Sequence, residues 1–309
     1  MTHHRPMPGS PSPDLVFSLG VDGPLDLPLT VAPVRHGPGD PTLRMVSSGI
    51  WRATRTPRGP LTIQLQHRGD ELRVAAWGPG AVIAEELAPR LAGLHDRPDA
   101  LRPVHRLIRE LSVRFAGVRM PATGNVWEAL APAIIEQKVT GTEAFRGWRL
   151  LVRTYGEPAP GPPGLILAPD AATIAGLPYH VFHRFGIERR RADTLRRAAA
   201  LGARLDGLSQ TARLEELLLG VRGIGPWTVA EVARVALGDV DAVSVGDFHI
   251  PNLVCWALAG EPRGDDARML GLLAPYSGQR GRVQRLLEAP GIRAPRYGPR
   301  LAPRSIRAI

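Results

Sequence analysis

The chain has 309 residues, 44% hydrophobic and 22% charged, with a formal net charge of +10 at pH 7, which is the composition of a folded globular protein with room for two domains. Its single cysteine, Cys255, excludes an intramolecular disulfide and any cluster held by four cysteines, and no run of about 18 apolar residues is present to span a membrane. The positive charge favours a polyanionic partner such as DNA, RNA or an acidic membrane surface, although a high-GC genome would also enrich arginine.

The N-terminal third of the chain has the pattern of a small sheet followed by a helix. Residues 1–16 are rich in proline, serine and histidine and lack an apolar segment, so we predict a disordered tail without a secretory signal. Three segments show the apolar pattern of strands, with the polar turn HRGD between the last two: 49–57, 61–66 and 71–78. Residues 81–94 have helical spacing. We therefore predict an α+β domain with a small antiparallel sheet over residues 17–103.

From residue 104 onward the pattern is helical. Apolar residues recur at helical spacing in the following segments: 104–115, 125–156, 172–177, 189–205, 211–220, 221–238, 248–260, 265–273 and 280–288. The long segment breaks near Thr140 and Gly141. We predict an all-α domain over 104–288 and an Arg- and Pro-rich tail over 289–309, so the fold class is α+β.

The segment VRGIGPW, residues 221–227, lies between two helical patterns and has the features of a tight turn. Gly223 and Gly225 permit backbone conformations that other residues avoid, and they leave backbone N–H groups uncovered. The second helix starts directly after them, so its positive end points the same way and favours a bound phosphate. The alternative is an ordinary packing corner between two helices with a glycine cap.

Asp247 lies in the segment VSVGDFHIPN, with nineteen residues between it and the hairpin segment, and precedes an apolar helical run. A side chain at this place typically caps the helix N-terminus. The cap role and a catalytic role are compatible, because both use a fixed carboxylate. Cleavage of a glycosidic bond develops positive charge on the sugar, and such a carboxylate stabilises that charge.

Together, the segments GIGPWT and VSVGDFHI resemble the helix–hairpin–helix DNA glycosylase superfamily. Within it, the chain resembles the bacterial 3-methyladenine DNA glycosylase II branch, because Trp227 lies in the hairpin and the chain has no cysteine besides Cys255. The resemblance extends over most of residues 20–290, including 115–140 and 186–200. It implies that an all-α glycosylase domain follows the N-terminal domain. It also implies that Asp247 faces a nucleotide turned out of the duplex.

The resemblance implies a function in base excision repair. The expected reaction is hydrolysis of the N-glycosidic bond of damaged, alkylated bases in duplex DNA. Bifunctional relatives carry a lysine where this chain has Trp227, and Lys138 is the only lysine, so we expect no lyase step. We expect a cytoplasmic monomer, associated with the nucleoid when bound to DNA, that needs no cofactor.

The same resemblance assigns further site residues. Trp227, Glu231 and Tyr276 are expected to line the base pocket, although Glu231 stands where the family can have an aromatic residue. The residues expected to contact DNA are Gln137, Lys138, Gly223, Gly225 and Thr228. Gln137 and Lys138 match the end of a helix that, in the family, fills the gap left by the displaced base, and the alternative is that both are exposed polar residues. A structural Na⁺ or K⁺ is predicted at the hairpin on the carbonyls of Leu219, Val221 and Ile224.

Other functions stay open on the sequence alone. The first is a non-catalytic helix–hairpin–helix protein that coats DNA. The second is a glycosylase for oxidised or deaminated bases, which Glu231 keeps open. A membrane-surface protein is disfavoured because the chain lacks a basic amphipathic helix with exposed tryptophan or leucine.

Overall fold

A computed structural model of the chain describes residues 11–162, 164–289 and 291–295. Two sequence predictions lie largely outside these residues: the first ten positions of the N-terminal tail, and residue 290 together with 296–309 of the C-terminal tail. Within the described residues, no helix combines the length and the apolar character needed to cross a membrane.

Residues 15–77 contain a five-stranded antiparallel sheet in the order β1-β5-β4-β3-β2. Its strands are β1 (Leu15–Gly20), β2 (Leu43–Val46), β3 (Gly49–Thr56), β4 (Gly59–Arg68) and β5 (Glu71–Trp77). The three predicted strands are confirmed, and the turn between β4 and β5 consists of Gly69 and Asp70, with Gly69 at a φ of +61°. Two edge strands went unpredicted. The boundary of the tail at residue 16 is wrong, because Leu15 already pairs with Ala76 of β5.

Thirteen α-helices lie within the described residues, together with a second, two-stranded sheet. The helices are α1 (Leu27–Val31), α2 (Ala84–Leu91), α3 (Arg106–Arg114), α4 (Val126–Glu136), α5 (Gly141–Tyr155), α6 (Ala171–Gly176), α7 (Tyr179–His183), α8 (Arg189–Ala199), α9 (Thr211–Leu219), α10 (Pro226–Val232), α11 (Ile250–Ala259), α12 (Asp266–Leu273) and α13 (Arg280–Glu288). The strands are β6 (Glu157–Pro158) and β7 (Ile166–Leu167). A π-helical turn over Ala233–Leu237 continues α10. The predicted α+β character is confirmed.

The predicted break in the long helical segment is confirmed between α4 and α5. Thr140 caps α5 with a reciprocal pair of bonds, because its hydroxyl accepts from the Glu143 N–H and the Glu143 carboxylate accepts from the Thr140 N–H. Such a capping box satisfies backbone donors that a helix start leaves free. The chain therefore turns sharply at residues 137–140, next to the end of α4.

One hydrophobic core runs from the sheet into the helices. It joins sheet residues such as Ile63 and Val74 to Leu130 and Ile134 of α4 and to Leu214 of α9, all at 0% exposure. A second cluster packs α3 against the C-terminal helices α11 to α13. The core thus crosses residue 103, where the sequence pattern places a domain boundary, and the predicted domains 17–103 and 104–288 share it.

Helix α4 is fixed to the sheet by the buried carboxylate of Glu128. Its Oε2 accepts from Arg52 Nη2 at 2.9 Å and from Thr54 Oγ1 at 2.7 Å, and its Oε1 accepts from the Arg55 N–H at 2.8 Å. A buried carboxylate satisfied this fully is a rigid attachment point. The far end of α4 is thereby held in place beside the hairpin that connects α9 to α10.

Candidate active site at the hairpin

The hairpin between α9 and α10 requires glycine at position 223. Gly223 has a φ of +101°, and a Cβ added there would lie 2.1 Å from the Thr194 hydroxyl oxygen. Gly225 has an extended backbone and open space around it, and it directly precedes Pro226 at the start of α10. Proline suits this first helical position because its missing N–H would be unpaired there. The predicted tight turn is confirmed, and its tip comprises the exposed residues Arg222 and Gly223.

Gln137 joins the end of α4 to this hairpin. Its side-chain amide donates to the Gly223 carbonyl at 3.1 Å and to the Thr228 hydroxyl at 2.8 Å. Lys138 follows, is exposed, and has a φ of +54°, the one positive value among the non-glycine residues that the structure describes. Strained backbone of this kind persists where the surroundings enforce it, and it concentrates at functional sites. The amide of Gln137 is thus engaged with protein, whereas Lys138 extends into solvent.

Asp247 lies just ahead of α11, and three uncharged donors hold its half-buried carboxylate. Its Oδ1 accepts from the backbone N–H groups of His249 and Ile250 at 2.6 and 2.9 Å. Its Oδ2 accepts from the indole N–H of Trp227 at 2.9 Å. The N-cap residue of α11 is His249, so Asp247 lies two residues ahead of the predicted cap position, although its carboxylate still satisfies two N–H groups at the helix start. The indole bond adds a partner from α10 that fixes the second oxygen.

Two of these hydrogen bonds link three helices, α4, α10 and α11. The first runs from Gln137 at the end of α4 to Thr228 in α10, and the second from Trp227, the neighbour of Thr228, to Asp247 at the start of α11. The preceding loop is anchored separately, because the Gly246 N–H donates to the carboxylate of Asp266 in α12. Asp247 therefore has a fixed position relative to the hairpin, although it lies twenty residues away in sequence.

Glu231 lies one helical turn after Trp227 and belongs to a buried charge network. Its Oε1 accepts from the Ser244 hydroxyl and from Arg234 Nη1, the latter at 3.1 Å. Arg234 is 6% exposed and also donates to Glu288 Oε2 at 2.9 Å. Burial raises the pKa of Glu231 above its ordinary value even though Arg234 and Ser244 oppose that shift. For Glu288, Arg234 and Gln284 outweigh burial and lower the pKa.

Tyr276 lies in the second hydrophobic cluster and is 3% exposed. Its hydroxyl binds the backbone N–H of His105 at 2.9 Å and the His105 ring at 2.7 Å. Within the described residues, no ring contact joins Tyr276 to Trp227. The structure therefore brings together Trp227, Asp247, Gln137 and Thr228, and leaves Tyr276 in a packing role.

The hairpin carbonyls predicted to bind a monovalent cation stay a prediction. The Val221 carbonyl accepts from the Ile224 N–H at 3.0 Å, a bond that leaves a second lone pair for another ligand. No group of three or more His, Cys, Asp or Glu side chains is arranged to hold a metal ion within the described ranges.

Sequence analysis missed several residues that shape this site. Thr194 restricts Gly223, and Ser244 and Glu288 complete the network around Glu231, all through contacts between distant segments. Arg234 could have been identified from the sequence, because it follows Glu231 by three residues in a predicted helix, and oppositely charged side chains at that spacing pair. Phe248, directly after Asp247, is 76% exposed. An apolar residue next to a carboxylate in a predicted loop is the sequence pattern that could have identified it.

Comparison with known proteins extends these observations. No family model matches the chain. YfjP of Bacillus subtilis, which is provisionally named a DNA-3-methyladenine glycosylase, is 28% identical over 145 residues, covering 45% of this chain and 50% of that protein. The chain thus spans about half the length of this curated relative.

Solved structures align over more of the chain. A 3-methyladenine DNA glycosylase from Archaeoglobus fulgidus has a TM-score of 0.73 at 19% identity, covering 88% of this chain and 97% of that one. The chain has the fold of helix–hairpin–helix DNA glycosylases. An 8-oxoguanine glycosylase/lyase from Clostridium acetobutylicum, solved with duplex DNA, has a TM-score of 0.69 at 12% identity, covering 91% and 98% of the two chains. Mag1, a 3-methyladenine DNA glycosylase of Schizosaccharomyces pombe solved with abasic DNA, has a TM-score of 0.51 at 18% identity, covering 62% and 94%. The resemblance inferred from GIGPWT and VSVGDFHI is confirmed.

Proposed function

We propose that this protein is a monofunctional DNA glycosylase that hydrolyses the N-glycosidic bond of alkylated bases in duplex DNA during base excision repair. The observation that carries the proposal is the hydrogen bond from the Trp227 indole to Asp247 Oδ2. That bond fixes a carboxylate next to the first turn of the hairpin helix, in a chain whose fold matches DNA glycosylases. The two backbone N–H bonds alone would satisfy the helix start, whereas the bond from Trp227 also fixes the second carboxylate oxygen.

Asp247 has the properties that base release demands. Breaking the C1′–N bond develops positive charge on the sugar, and a preorganised carboxylate stabilises that charge without having to reorient. Its hydrogen-bond donors are two backbone N–H groups and one indole N–H, all neutral, so its negative charge is not cancelled by a paired cation. The same group can also orient or deprotonate the attacking water.

Duplex DNA is the proposed partner. The chain carries a net charge of +10, and the exposed hairpin presents backbone N–H groups at the start of α10, where a phosphate contact would fix register without reading sequence. The Clostridium and Schizosaccharomyces relatives were solved with duplex and abasic DNA respectively.

The absence of a lysine from the hairpin and from α10 supports hydrolysis without strand cleavage. A lyase step through a Schiff base needs an amine next to the sugar. Lys138 is the only lysine of the chain, and it lies in the turn after α4, whereas the hairpin helix carries Trp227. The product would be an intact strand with an abasic site. Because the Clostridium relative is named a glycosylase/lyase, the test must measure strand cleavage directly.

The pocket side of α10 favours a cationic base. The half-buried Trp227 indole offers a ring face to an alkylated base such as 3-methyladenine or 7-methylguanine, and a cation is attracted to that face. Glu231, one turn later, makes both of its hydrogen bonds through Oε1, so Oε2 is available to a base edge. A neutral oxidised base would gain no cation–π attraction from the indole.

A base-release assay tests the proposal. Methylated duplex DNA is incubated with the protein, and the freed bases are identified by chromatography beside duplexes containing hypoxanthine or 8-oxoguanine. We expect methylated purines to be released fastest, the strand to stay intact until alkali is added, and Asp247→Asn to release none above background. Borohydride trapping of a protein–DNA adduct that disappears in Lys138→Gln would contradict the monofunctional assignment. Faster release of 8-oxoguanine would contradict the alkylated substrate, and equal release by Asp247→Asn would overturn the catalytic assignment.

A further inference from the structure

Phe248 is an aromatic ring standing in solvent directly after Asp247. It is 76% exposed, twice the 38% of Trp256, the other aromatic among the exposed large apolar side chains of the described residues. Single exposed apolar side chains are common on protein surfaces and need no function by themselves. The position of this one is informative, since it neighbours the carboxylate that would lie against the sugar.

The ring has a defined direction before any ligand binds. The Phe248 carbonyl accepts from the Asn252 side-chain amide at 3.2 Å, and the two following backbone N–H groups are bound to Asp247 Oδ1. The ring itself packs edge to face on His249, with 4.9 Å between the centroids and an interplanar angle of 84°. An aromatic group held in this way loses little conformational entropy when it binds.

The residue expected to fill the gap in the duplex is already engaged. The Gln137 amide makes two hydrogen bonds to the hairpin, to the Gly223 carbonyl and the Thr228 hydroxyl. Inserting it into DNA would break both bonds, and the loss of the partner of the buried Thr228 hydroxyl, 1% exposed, costs free energy. Phe248 and Lys138, by contrast, are exposed side chains next to the site.

We propose that the Phe248 ring binds the damaged strand beside the displaced nucleotide, stacking on the base face that displacement uncovers. The inference rests on the proposed function, because Asp247 brings Phe248 to the strand only if it faces the sugar. Base–aromatic stacking is insensitive to base identity, so this contact would stabilise the opened duplex at any sequence. Apolar side chains inserted between base steps act in the same way in other DNA-binding proteins.

The test compares Phe248→Ala and Phe248→Leu with Val113→Ala, a matched control on α3 that is also 76% exposed. Each variant is measured for affinity to a duplex containing a stable abasic-site analogue, and for the fluorescence of 2-aminopurine placed next to that site. We expect Phe248→Ala to weaken binding by about 5- to 100-fold and to lose quenching of the reporter. Phe248→Leu should be intermediate, and Val113→Ala should match the parent.

Thermal unfolding midpoints should stay constant across the series, because an exposed ring contributes little to folding. Parental affinity and quenching in Phe248→Ala would overturn the inference, and so would loss of both in Lys138→Ala alone. Base release from methylated DNA by the parent reports separately on the proposed function. If the parent binds the abasic duplex through Phe248 yet releases no base, the proposed enzymatic function is refuted and the proposed Phe248 contact stands.

Discussion

Two regions flank helix α10, and each holds a carboxylate in a different way. Around Asp247, three neutral N–H donors bind a half-buried acid and no guanidinium lies among them. Around Glu231, the Arg234 guanidinium is shared with Glu288 in a largely buried network. Trp227 and Glu231, which mark the two regions, are one helical turn apart.

The difference is that the negative charge of Asp247 remains available to a ligand, whereas the negative charge of Glu231 is largely neutralised by Arg234. Neutral donors position a carboxylate and leave its negative charge to act on a ligand, whereas a buried cation cancels most of it. Burial opposes the charged form of Arg234, but Glu288 and Glu231 raise its pKa above the ordinary value, so the cation persists. We infer that the Asp247 region performs chemistry and that the Glu231 region mainly holds the fold, with Oε2 of Glu231 as its contact to a base.

The largest expected effect is on catalysis. Asp247→Asn should lower base release by about 10²- to 10⁴-fold, the range for loss of an acid–base group. The Asn side-chain oxygen can still accept from the His249 and Ile250 N–H groups, but its amide nitrogen cannot accept from the Trp227 indole, so the unfolding free energy should fall by about 1–3 kcal/mol. Single-turnover release of 7-methylguanine and urea unfolding measure the two quantities. Glu231→Gln is the matched control and should lose less than about tenfold; equal losses would abolish the distinction between the regions.

The next effect is on stability and falls on the other region. Arg234→Met should cost about 3 kcal/mol of unfolding free energy, because it leaves Glu231 without its cation and Glu288 with only Arg285, at 3.9 Å. Arg268→Met removes a surface pair with Glu261, whose side chains are 49% and 40% exposed, and should cost under about 1 kcal/mol. Urea denaturation of both variants decides the matter. Similar costs would mean that the Arg234 network is not a structural centre.

The sequence predicted the local features of both regions. Glycine in the hairpin, the break at Thr140 and the carboxylate at the start of α11 depend on contacts within a few residues, so their signals are local. The short edge strands β1 and β2 were not predicted, because much of their stability comes from pairing with neighbouring strands of the sheet rather than from their own sequence pattern.

Tertiary contacts were not predictable from one sequence. Thr194 packs on Gly223, which is 29 positions away in the sequence, and Glu288 bonds to Arg234, which is 54 positions away. No local sequence pattern encodes either contact. The resemblance to glycosylases assigned Tyr276 to a pocket, whereas its hydroxyl is bound to His105 171 residues away. A family motif transfers roles that depend on the backbone more safely than roles that depend on side-chain packing.

The hairpin that positions Asp247 has its own pair of matched variants. Gly223→Ala places a Cβ at a φ of +101° and 2.1 Å from the Thr194 hydroxyl, which should cost about 2 kcal/mol and weaken duplex binding. Gly225→Ala meets open space at an extended φ and should change stability by under about 0.5 kcal/mol. Calorimetry and fluorescence anisotropy measure the two effects. Tolerance of both substitutions would show that the turn is not constrained.

A smaller effect isolates the indole bond. Trp227→Phe keeps an aromatic ring but removes the donor to Asp247 Oδ2, so base release should fall about tenfold, as expected for one hydrogen bond to a charged group. Trp256→Phe on α11 controls for the change of ring and should keep parental kcat/KM. A parental rate in Trp227→Phe would mean that the two backbone N–H groups alone suffice to position the acid.

The smallest effect is a pair of opposite pH dependences within the Arg234 network. The pKa of Glu231 is raised in the folded state, chiefly by burial, so its stabilising contribution is complete below the unfolded-state pKa and is lost as pH rises through the folded-state value. Burial also pushes the pKa of Glu288 upward, but Arg234 and Gln284 prevail and lower it. Its contribution is present above the unfolded-state pKa and is lost as pH falls through the folded-state value. In the parent, the unfolding free energy should decline both as pH rises through the folded-state pKa of Glu231 and as pH falls through that of Glu288. Glu231→Gln should remove the first decline, and Glu288→Gln should remove the second. The same pH profile in Glu231→Gln, in Glu288→Gln and in the parent would mean that neither carboxylate is linked to folding in this way.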